Sequence, residues 1–277
     1  MEKPHLNILI PQWQGSGQDL SPYKGGLEIK SHYLSGLDLA EVEIGTENLS
    51  EVKNNIAGYD ELLKQLLLTK TKIADSDPHT IFTIGGGCDS DIVSISYLNC
   101  IAAGDMTLLY FDAHGDLNTP ESSGSKNFYG MSLRTLLGDG DAGFLDSLFS
   151  TLSPHQVIML GVRDLDKPEG EYIDRQCVST LIVDDIEDNI ESVVKMVKEK
   201  GHEKIYIHID LDVLDPSEFP FVPVPVPGGL KSDTFIRLLK RLREEFTVAG
   251  LGLLEYSPSG RTDNEVIREI VNFGGRL

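Results

Sequence analysis

Two carboxylates and an imidazole lie close together in the segment from Phe111 to Asp116, which reads FDAHGD. The segment follows an apolar run from Met106 to Tyr110. Alternate side chains of a strand share a face, so Asp112, His114 and Asp116 can converge on one point. Carboxylate oxygen suits hard divalent ions, and imidazole suits transition metals. The segment therefore predicts a metal site at the end of a strand.

A second acidic strand end occurs from Ile205 to Pro216, in the segment IYIHIDLDVLDP. Asp210 and Asp212 are two residues apart and so share a face. Two acidic strand ends on one sheet repel each other unless a cation lies between them. The alternative is that the aspartates merely cap the following turns or helices. His208, on the same face, could bind a metal, hydrogen-bond a ligand, or be an ordinary, partly buried histidine.

Alternating strand and helix patterns predict the elements that position these segments. The predicted strands are Leu6–Ile10, Thr80–Ile84, Thr107–Phe111, Gln156–Gly161, Thr180–Val183, Lys204–Ile209 and Val248–Leu254. The predicted helices are Leu49–Leu68, Ser90–Ala103, Met131–Leu137, Ile186–Lys198, Ser232–Glu245 and Asn264–Phe273. The alternation indicates an α/β fold, with a mostly parallel sheet between two helical layers, in a single domain over residues 1–277. Ligands of such sheets bind at the carboxyl ends of strands, where both acidic segments fall.

Three loops accompany these elements. Residues Gln14–Gly26 and Pro120–Lys126 are polar and contain glycine and serine, which predicts loops. The glycine run Gly85–Gly87 lacks the spacing of a phosphate-binding loop. It predicts a tight turn from strand to helix, with Asp89 or Ser90 as the helix cap.

Composition excludes several classes of partner. The chain has 44 acidic and 24 basic residues, for a net charge of −20. Nucleic acids and anionic membranes both need a basic surface, so we expect neither as a partner. The three cysteines show no zinc-binding spacing, and such a sparse set is typical of a reducing cytosol. No secretory signal or membrane span is predicted, so we expect a cytoplasmic protein.

Three motifs in the same order resemble those of the ureohydrolase superfamily, which includes arginase, agmatinase and formiminoglutamase. They are IGGGCDSD (Ile84 to Asp91), FDAHGD, and HIDLDVLDP (His208 to Pro216). The segments PGGL (Pro227 to Leu230) and GLLEYSP (Gly252 to Pro258) also fit, so the resemblance runs from about Thr80 to the C-terminus. It implies an arginase-like three-layer fold, two Mn²⁺ ions per subunit, and hydrolysis of a guanidino group to urea.

The resemblance also implies roles for the acidic residues. The metal ligands would be Asp112, His114, Asp116, Asp210 and Asp212. Asp112 and Asp210 would bridge the two ions, and a metal-bound hydroxide would attack the guanidinium carbon. Glu255 matches the glutamate that binds the guanidinium, a group that a carboxylate holds well. Taken alone, Glu255 could equally be a solvated acid at a strand end.

The substrate loop is closest to that of arginase. Residues Asn118 to Gly130, NTPESSGSKNFYG, resemble the loop that binds the amino-acid head of the substrate. The residues at or near its binding positions are Asn118, Ser123, Ser125 and Asn127. Asp166 and Glu169 match the contacts of the α-amino group. The resemblance therefore implies a preference for arginine over agmatine, although a loop of this composition could also have no binding role.

Three positions depart from the family pattern. Cys88 stands where the family has a histidine ligand, Tyr129 where arginases have a proton-shuttling histidine, and Val224 where the family has threonine. Cys88 could ligate and favour zinc, nickel or cobalt; the first metal position could instead be weak or empty; or the thiol could be a small buried apolar group. Tyrosine titrates near about 10, so Tyr129 cannot relay protons as imidazole does.

Three functions remain open at this point. The first is a metal-dependent hydrolase of a guanidino substrate, most simply arginine, acting on the carbon–nitrogen bond of a linear amidine. The second is a non-catalytic relative that keeps the fold and binds a ligand or partner. The third is a related enzyme with another substrate, such as agmatine, a guanidino acid or a formimino compound. The resemblance also implies a homotrimer or homohexamer.

Overall fold

The computed structural model describes residues 4–47 and 49–277 and has one parallel sheet of eight strands at its centre. In chain order the strands are β1 His5–Ile10, β2 Leu39–Glu41, β3 Thr80–Gly85, β4 Met106–Phe111, β5 Val157–Leu160, β6 Ser179–Leu181, β7 Lys204–Asp210 and β8 Thr247–Leu254. Their order across the sheet is β2-β1-β3-β8-β7-β4-β5-β6, and every pairing is parallel. The predicted α/β class is confirmed.

Helices cover both faces of the sheet. They are α1 Ser21–Tyr33, α2 Tyr59–Ser76, α3 Ile92–Ile101, α4 Ser132–Leu136, α5 Ala142–Ser147, α6 Lys167–Gln176, α7 Val183–Asp188, α8 Glu191–Lys200, α9 Ser232–Glu245 and α10 Glu265–Gly274. Alternate residues of β4 pack into hydrophobic cores on opposite faces of the sheet. Leu108 packs in the core that includes α2 and α3, and Leu109 packs in the core that includes α8, α9 and α10. This alternation follows from the pleat of a strand buried on both faces, and it produces three layers.

Two predictions near the N-terminal end of the chain are wrong. The loop predicted over Gln14–Gly26 contains the start of α1, in which Pro22 occupies the first turn, where proline is compatible with a helix. A Cβ on Gly25 would lie 1.6 Å from the carbonyl oxygen of Tyr256, so this glycine allows close packing inside a helix. The helix predicted from Leu49 to Leu68 begins only at Tyr59 and continues to Ser76.

Shorter elements also differ from the predictions. The helix predicted over Ile186–Lys198 is two helices, α7 and α8, which are separated at Asn189 and Ile190. Asn189 uses its side-chain oxygen to accept the N–H of Glu191 and so begins a new helix instead of continuing the old one. The strand β2 and the helices α1, α5 and α6 had no predicted counterpart. None of the described helices is long and apolar enough to cross a membrane.

Four neighbouring strands end at one edge of the sheet. β3, β8, β7 and β4 are adjacent in that order, and Phe111 of β4 pairs with Ile209 of β7, which pairs with Leu253 of β8. Because parallel strands point the same way, the residues that follow them emerge side by side. The glycine turn with Cys88, the FDAHGD segment, the HIDLD segment and Glu255 therefore meet at this carboxyl edge.

Candidate metal centre

Asp112, His114 and Asp212 form one cluster at the carboxyl edge. Their ligand atoms lie within 4.8 Å of one another, and His114 Nδ1 is 2.8 Å from Asp212 Oδ2 and 3.5 Å from Asp112 Oδ1. The backbone fixes both carboxylates: Asp112 Oδ1 accepts the N–H of His114 at 2.6 Å, and Asp212 Oδ1 accepts the N–H of Ala113 at 2.9 Å. The carboxylates are thus held in place before any cation binds.

Cys88, Asp210 and Glu255 form an adjoining buried cluster, again with ligand atoms within 4.8 Å. Cys88 Sγ lies 3.0 Å from Asp210 Oδ2 and 3.8 Å from Asp112 Oδ2, so the thiol touches both central aspartates. Glu255 turns off the end of β8 with φ of 57°, and its Oε1 accepts the N–H of Cys88 at 3.3 Å. The two clusters therefore meet, and we call the buried polar group that they form together the chamber.

The electrostatics of this chamber favour a cation. Burial, reinforced by neighbouring carboxylates, raises the pKa of Asp112, Asp210 and Glu255 well above the ordinary value. Burial lowers the pKa of His114, but hydrogen bonds to Asp112 and Asp212 and their charges outweigh burial and raise it. Burial and the charge of Asp210 raise the pKa of the Cys88 thiol. A group of buried acids that repel one another is the environment that a multivalent cation stabilises.

Asp116 lies beside the clusters without belonging to them. Its Oδ2 accepts hydrogen bonds from Tyr110 Oη at 2.6 Å and from Ser132 Oγ at 3.1 Å. Burial raises its pKa. Of the residues that depart from the family pattern, Tyr129 is partly buried and burial raises its pKa to about 12, whereas Val224 is exposed. The Tyr129 phenol therefore stays neutral at physiological pH.

The glycine turn differs from its prediction. Neither Asp89 nor Ser90 caps α3; the residue at the cap position is Asp91, whose side chain makes no capping bond. Asp89 instead accepts a hydrogen bond from Gln12 Nε2, and Ser90 Oγ accepts the N–H of Gly86 at 3.2 Å. The turn is so tight that a Cβ on Gly86 would lie 1.5 Å from the carbonyl oxygen of Gln12.

Two residues that contact His208 were not predicted from the sequence. Its Nδ1 lies 3.0 Å from Asp91 Oδ2, and its ring stacks on Tyr110 with 3.8 Å between ring centroids. All three side chains are fully buried. The stacking follows from the register of β4 and β7, which pairs Tyr110 with His208 and which the sequence does not show. Nothing in the local spacing indicated the contact with Asp91, which lies more than a hundred residues away in the chain.

Hydrogen bonds link several of the predicted substrate residues to one another. Asn118 Nδ2 donates to Asp166 Oδ2 at 3.0 Å, which joins the two predicted substrate segments. Ser123 and Ser125 contact each other, and the N–H of Asn127 donates to Ser125 Oγ at 3.2 Å. Glu169 is tied into the backbone: its two oxygens accept the N–H groups of Leu117 and Asp166 at 2.9 Å. Asp166 and Glu169 together form a capping box at the start of α6.

Burial of Glu169 predicts a pH dependence of stability. Burial raises the pKa of Glu169 from 4.5 to about 7. Between these values the folded chain binds more protons than the unfolded chain, so this residue lowers stability as pH rises through that window. We expect the metal-free Glu169→Gln variant to lose less stability than the wild type between pH 5 and pH 7.5, measured by urea unfolding. The exposed Glu171→Gln is the control, and equal losses in all three proteins would contradict the expectation.

The donor set fits divalent metal. Carboxylate oxygens suit hard ions, while the imidazole and thiol add affinity for transition metals. An unpaired buried atom supports the same conclusion: His208 Nε2 has no hydrogen-bond partner among the residues that the structure describes. A ring nitrogen of His208 also lies within 4.8 Å of Cys88 Sγ and a carboxylate oxygen of Asp112. Buried polar atoms usually have a partner, and a cation would provide one.

Comparisons with known proteins point to one family. The family model described as Arginase family matches residues 22–271. An arginase of Staphylococcus aureus (strain COL) is 27% identical over 274 residues, which cover 94% of this chain and 90% of that protein. An arginase of Bacillus subtilis (strain 168) is 25% identical over 254 residues, which cover 84% of this chain and 83% of that protein.

Solved structures share the fold. The crystal structure of an Entamoeba histolytica arginase in complex with L-ornithine superposes with a TM-score of 0.85 at 18% identity, over 98% of both chains. The formimidoylglutamase of Bacillus subtilis superposes with a TM-score of 0.70 at 21% identity, over 98% of this chain and 84% of that one. Since the matching family model extends over most of the sequence, the protein belongs to the arginase family and is a ureohydrolase enzyme.

Proposed function

We propose that the protein hydrolyses the guanidino group of an arginine-like substrate and releases urea, with two divalent metal ions, most simply Mn²⁺, at the carboxyl edge. The observation that carries the proposal is the meeting of the Asp112–His114–Asp212 cluster with the Cys88–Asp210–Glu255 cluster in one buried chamber. A divalent ion, when bound, lowers the pKa of its water ligand and supplies a nucleophile near neutral pH.

The geometry supports a distinct task for each metal ligand. Asp112 and Asp210 lie at the centre, against the Cys88 thiol, and their carboxylates would hold the ions there. His114 and Asp212 complete one position, and their hydrogen bonds aim the carboxylates inward. Asp116 borders the other position; Tyr110 and Ser132 both bond to its Oδ2, so we assign its Oδ1 to the cation.

Glu255 supports recognition of a guanidinium group. It is a buried carboxylate of the Cys88–Asp210–Glu255 cluster, and a guanidinium would bring it a positive charge. A guanidinium presents several N–H donors in one plane and keeps its charge at all physiological pH values. Its charge would offset the burial and the neighbouring negative charges that raise the pKa of Glu255. Glu255 therefore holds and orients the tail of the substrate.

We assign recognition of the other end of the substrate to the loop from Asn118 to Gly130 and to the start of α6. Asn118, Ser123, Ser125 and Asn127 provide neutral donors for an α-carboxylate, and Asp166 provides a negative charge for an α-amino group. Both oxygens of Glu169 already accept backbone N–H groups, so we assign it to holding Asp166 and the start of α6 in position. Asp166 is then the direct contact of the amino group.

This arrangement predicts a preference for arginine over agmatine, which lacks the carboxylate. Loss of one buried polar partner costs roughly 1–3 kcal/mol, or about ten- to a hundredfold. We expect kcat/KM for arginine to exceed that for agmatine by about that factor. The Asn127→Ala variant should lose activity toward arginine and keep its activity toward agmatine, which serves as the internal control. Equal use of both substrates by the wild type would refute this role of the loop.

Urea release from a panel of guanidino compounds by the metal-loaded enzyme tests the proposed function. The panel contains arginine, agmatine and guanidinobutyrate, with a formimino compound assayed separately for its own product. Activity toward arginine with a stoichiometric metal supports the proposal. Turnover of another compound alone would assign that compound as the substrate. The neutral Tyr129 phenol, which stands where arginases have a proton-shuttling histidine, would help to explain such a result. We also propose a cytoplasmic location and a homotrimer or homohexamer, on the grounds given by the sequence.

A further inference from the structure

His208 is held at the chamber by contacts on two sides. It lies on β7, two residues before Asp210, and its side chain is fully buried. Nδ1 lies 3.0 Å from Asp91 Oδ2. A carboxylate oxygen accepts hydrogen bonds, so we assign the donor role in this contact to Nδ1. The stacked Tyr110 ring, whose plane is 7° from that of His208, prevents rotation of the imidazole.

The opposite ring nitrogen is then left as a lone-pair donor. Nε2 is buried and unpaired within the described part of the chain. With Nδ1 facing Asp91, Nε2 is the nitrogen available to the group that contains Cys88 Sγ and Asp112. Metal-binding histidines commonly donate their other ring N–H to a carboxylate, which fixes the tautomer and makes the free nitrogen a better donor. Asp91 and His208 have this arrangement.

The neighbouring strand is adapted to this pair. Asp91 reaches His208 across β8, and a Cβ on Gly252 of β8 would lie 2.2 Å from Asp91 Oδ2. A side chain at this position would push the carboxylate away from the imidazole. Asp91 also accepts a hydrogen bond from Tyr206 Oη at 3.1 Å, so its carboxylate is held from two sides. The strand thus provides the space that the buried Asp91–His208 pair requires.

We propose that His208 is a metal ligand through Nε2, and that it replaces the imidazole absent at Cys88. The proposal rests on the proposed function, because it concerns one of the same two metal positions. That position would have Cys88 Sγ, His208 Nε2, the Oδ1 of Asp116 and oxygens of Asp112 and Asp210 as donors. Thiolate and imidazole favour zinc and cobalt over manganese. The two positions would therefore differ: the Asp112–His114–Asp212 side retains three oxygen- and nitrogen-type donors, whereas the Cys88 side selects a softer ion.

Metal analysis without any turnover tests this role. The full-length wild type, His208→Gln, Asp91→Asn and the control His202→Gln are stripped of metal and reloaded with Co²⁺ or Zn²⁺. His202 is a partly buried histidine outside the chamber, bonded to Thr107. Metal content is measured by mass spectrometry, affinity by chelator competition, and thiolate ligation by the sulfur-to-cobalt charge-transfer absorption. Thermal unfolding of each metal-free variant shows whether it is folded.

The expected result is two ions in the wild type and in His202→Gln, with a charge-transfer band from Cys88. His208→Gln should retain one tightly bound ion and lose the second, together with most of that band. Asp91→Asn keeps the imidazole but weakens its orientation, so the affinity of the second ion should fall by about 10- to 100-fold. It also keeps the proposal testable if His208→Gln fails to fold.

Unchanged stoichiometry and affinity in folded His208→Gln and Asp91→Asn would overturn the proposal and leave the function untouched. Absence of urea release from every guanidino compound, with these metal results as expected, would instead overturn the proposed function. A wild type that binds one ion without a charge-transfer band would also overturn the inference, because neither Cys88 nor His208 would then be a ligand.

Discussion

Replacing Asp210 with Asn is expected to abolish tight metal binding and with it urea formation. The Asp210 carboxylate lies at the centre of the chamber, where Oδ2 touches the Cys88 thiol and Oδ1 accepts the N–H of Asp212. Asn keeps the shape and one acceptor oxygen but removes the negative charge that a bridging ligand supplies. Substitution of a residue that only hydrogen-bonds a metal ligand typically lowers metal affinity by about 10- to 100-fold. Loss of a bridging ligand should therefore lower the affinity by more. Metal content and urea release measure the effect.

The same variant is expected to be more stable than the wild type when both are free of metal. Burial and the charges of Asp212, Asp112 and Glu255 raise the pKa of Asp210, which shows that the ionised form is destabilised in the folded chain. A neutral amide removes that penalty near neutral pH. The control is Asp184→Asn, which makes the same change at an exposed position. A metal-free Asp210→Asn protein that unfolds at lower urea than the wild type would show that repulsion does not dominate the chamber.

The central part of the site was predictable because strand geometry determined it. Asp112 directly follows β4 and Asp210 is the last residue of β7, and any parallel sheet brings the carboxyl ends of its strands to one edge. The sequence could not show that the two strands are neighbours. The pairing of β4 with β7, which places Phe111 beside Ile209, is a long-range contact set by packing of the whole sheet.

Helix boundaries were less predictable, for local and tertiary reasons. The apolar pattern before Tyr59 resembles a helix, but Asn54 and Asn55 adopt positive φ, and α2 begins only after Gly58, with φ of 65°. Isolated left-handed residues end or prevent a helix without changing the hydrophobic pattern. The start of α1 was not predicted because its glycine content is typical of a loop. Its glycines indicate a loop by composition, whereas Gly25 is required because the Tyr256 backbone passes close to it.

The contacts around His208 were beyond sequence analysis. Asp91 is part of the glycine-turn motif that follows β3, and His208 lies on β7. The hydrogen bond between them crosses β8, which lies between β3 and β7 in the sheet. The spacing of residues along the sequence indicates which side chains share a face of one strand or helix. It does not indicate that a carboxylate reaches across another strand. The sequence therefore left the role of His208 open among three alternatives, and the geometry favours one of them.

Replacing Cys88 with His is expected to shift metal preference toward manganese and to raise urea formation. The thiol touches both central aspartates, so a ligand at position 88 faces the metal position directly. Imidazole suits manganese better than a thiolate, which selects softer ions. Substitution of a residue that only hydrogen-bonds a metal ligand changes metal affinity by about tenfold or more, and exchange of the ligand itself should have at least that effect. We therefore expect the affinity for Mn²⁺ to rise by about tenfold or more. Chelator competition and urea release with Mn²⁺ as the only metal measure both effects.

Two further variants separate ligation from packing. Cys177→His makes the same exchange at an exposed cysteine and should leave metal preference unchanged. Cys88→Ser removes the thiol with little change of volume, so it should weaken zinc and cobalt binding without improving manganese binding. The larger imidazole must fit where the cysteine is buried, and overpacking typically costs about 1–3 kcal/mol, which thermal unfolding of Cys88→His will show. If a folded Cys88→His binds every metal as the wild type does, Cys88 only fills space, and manganese preference is determined by the Asp112–His114–Asp212 side of the chamber.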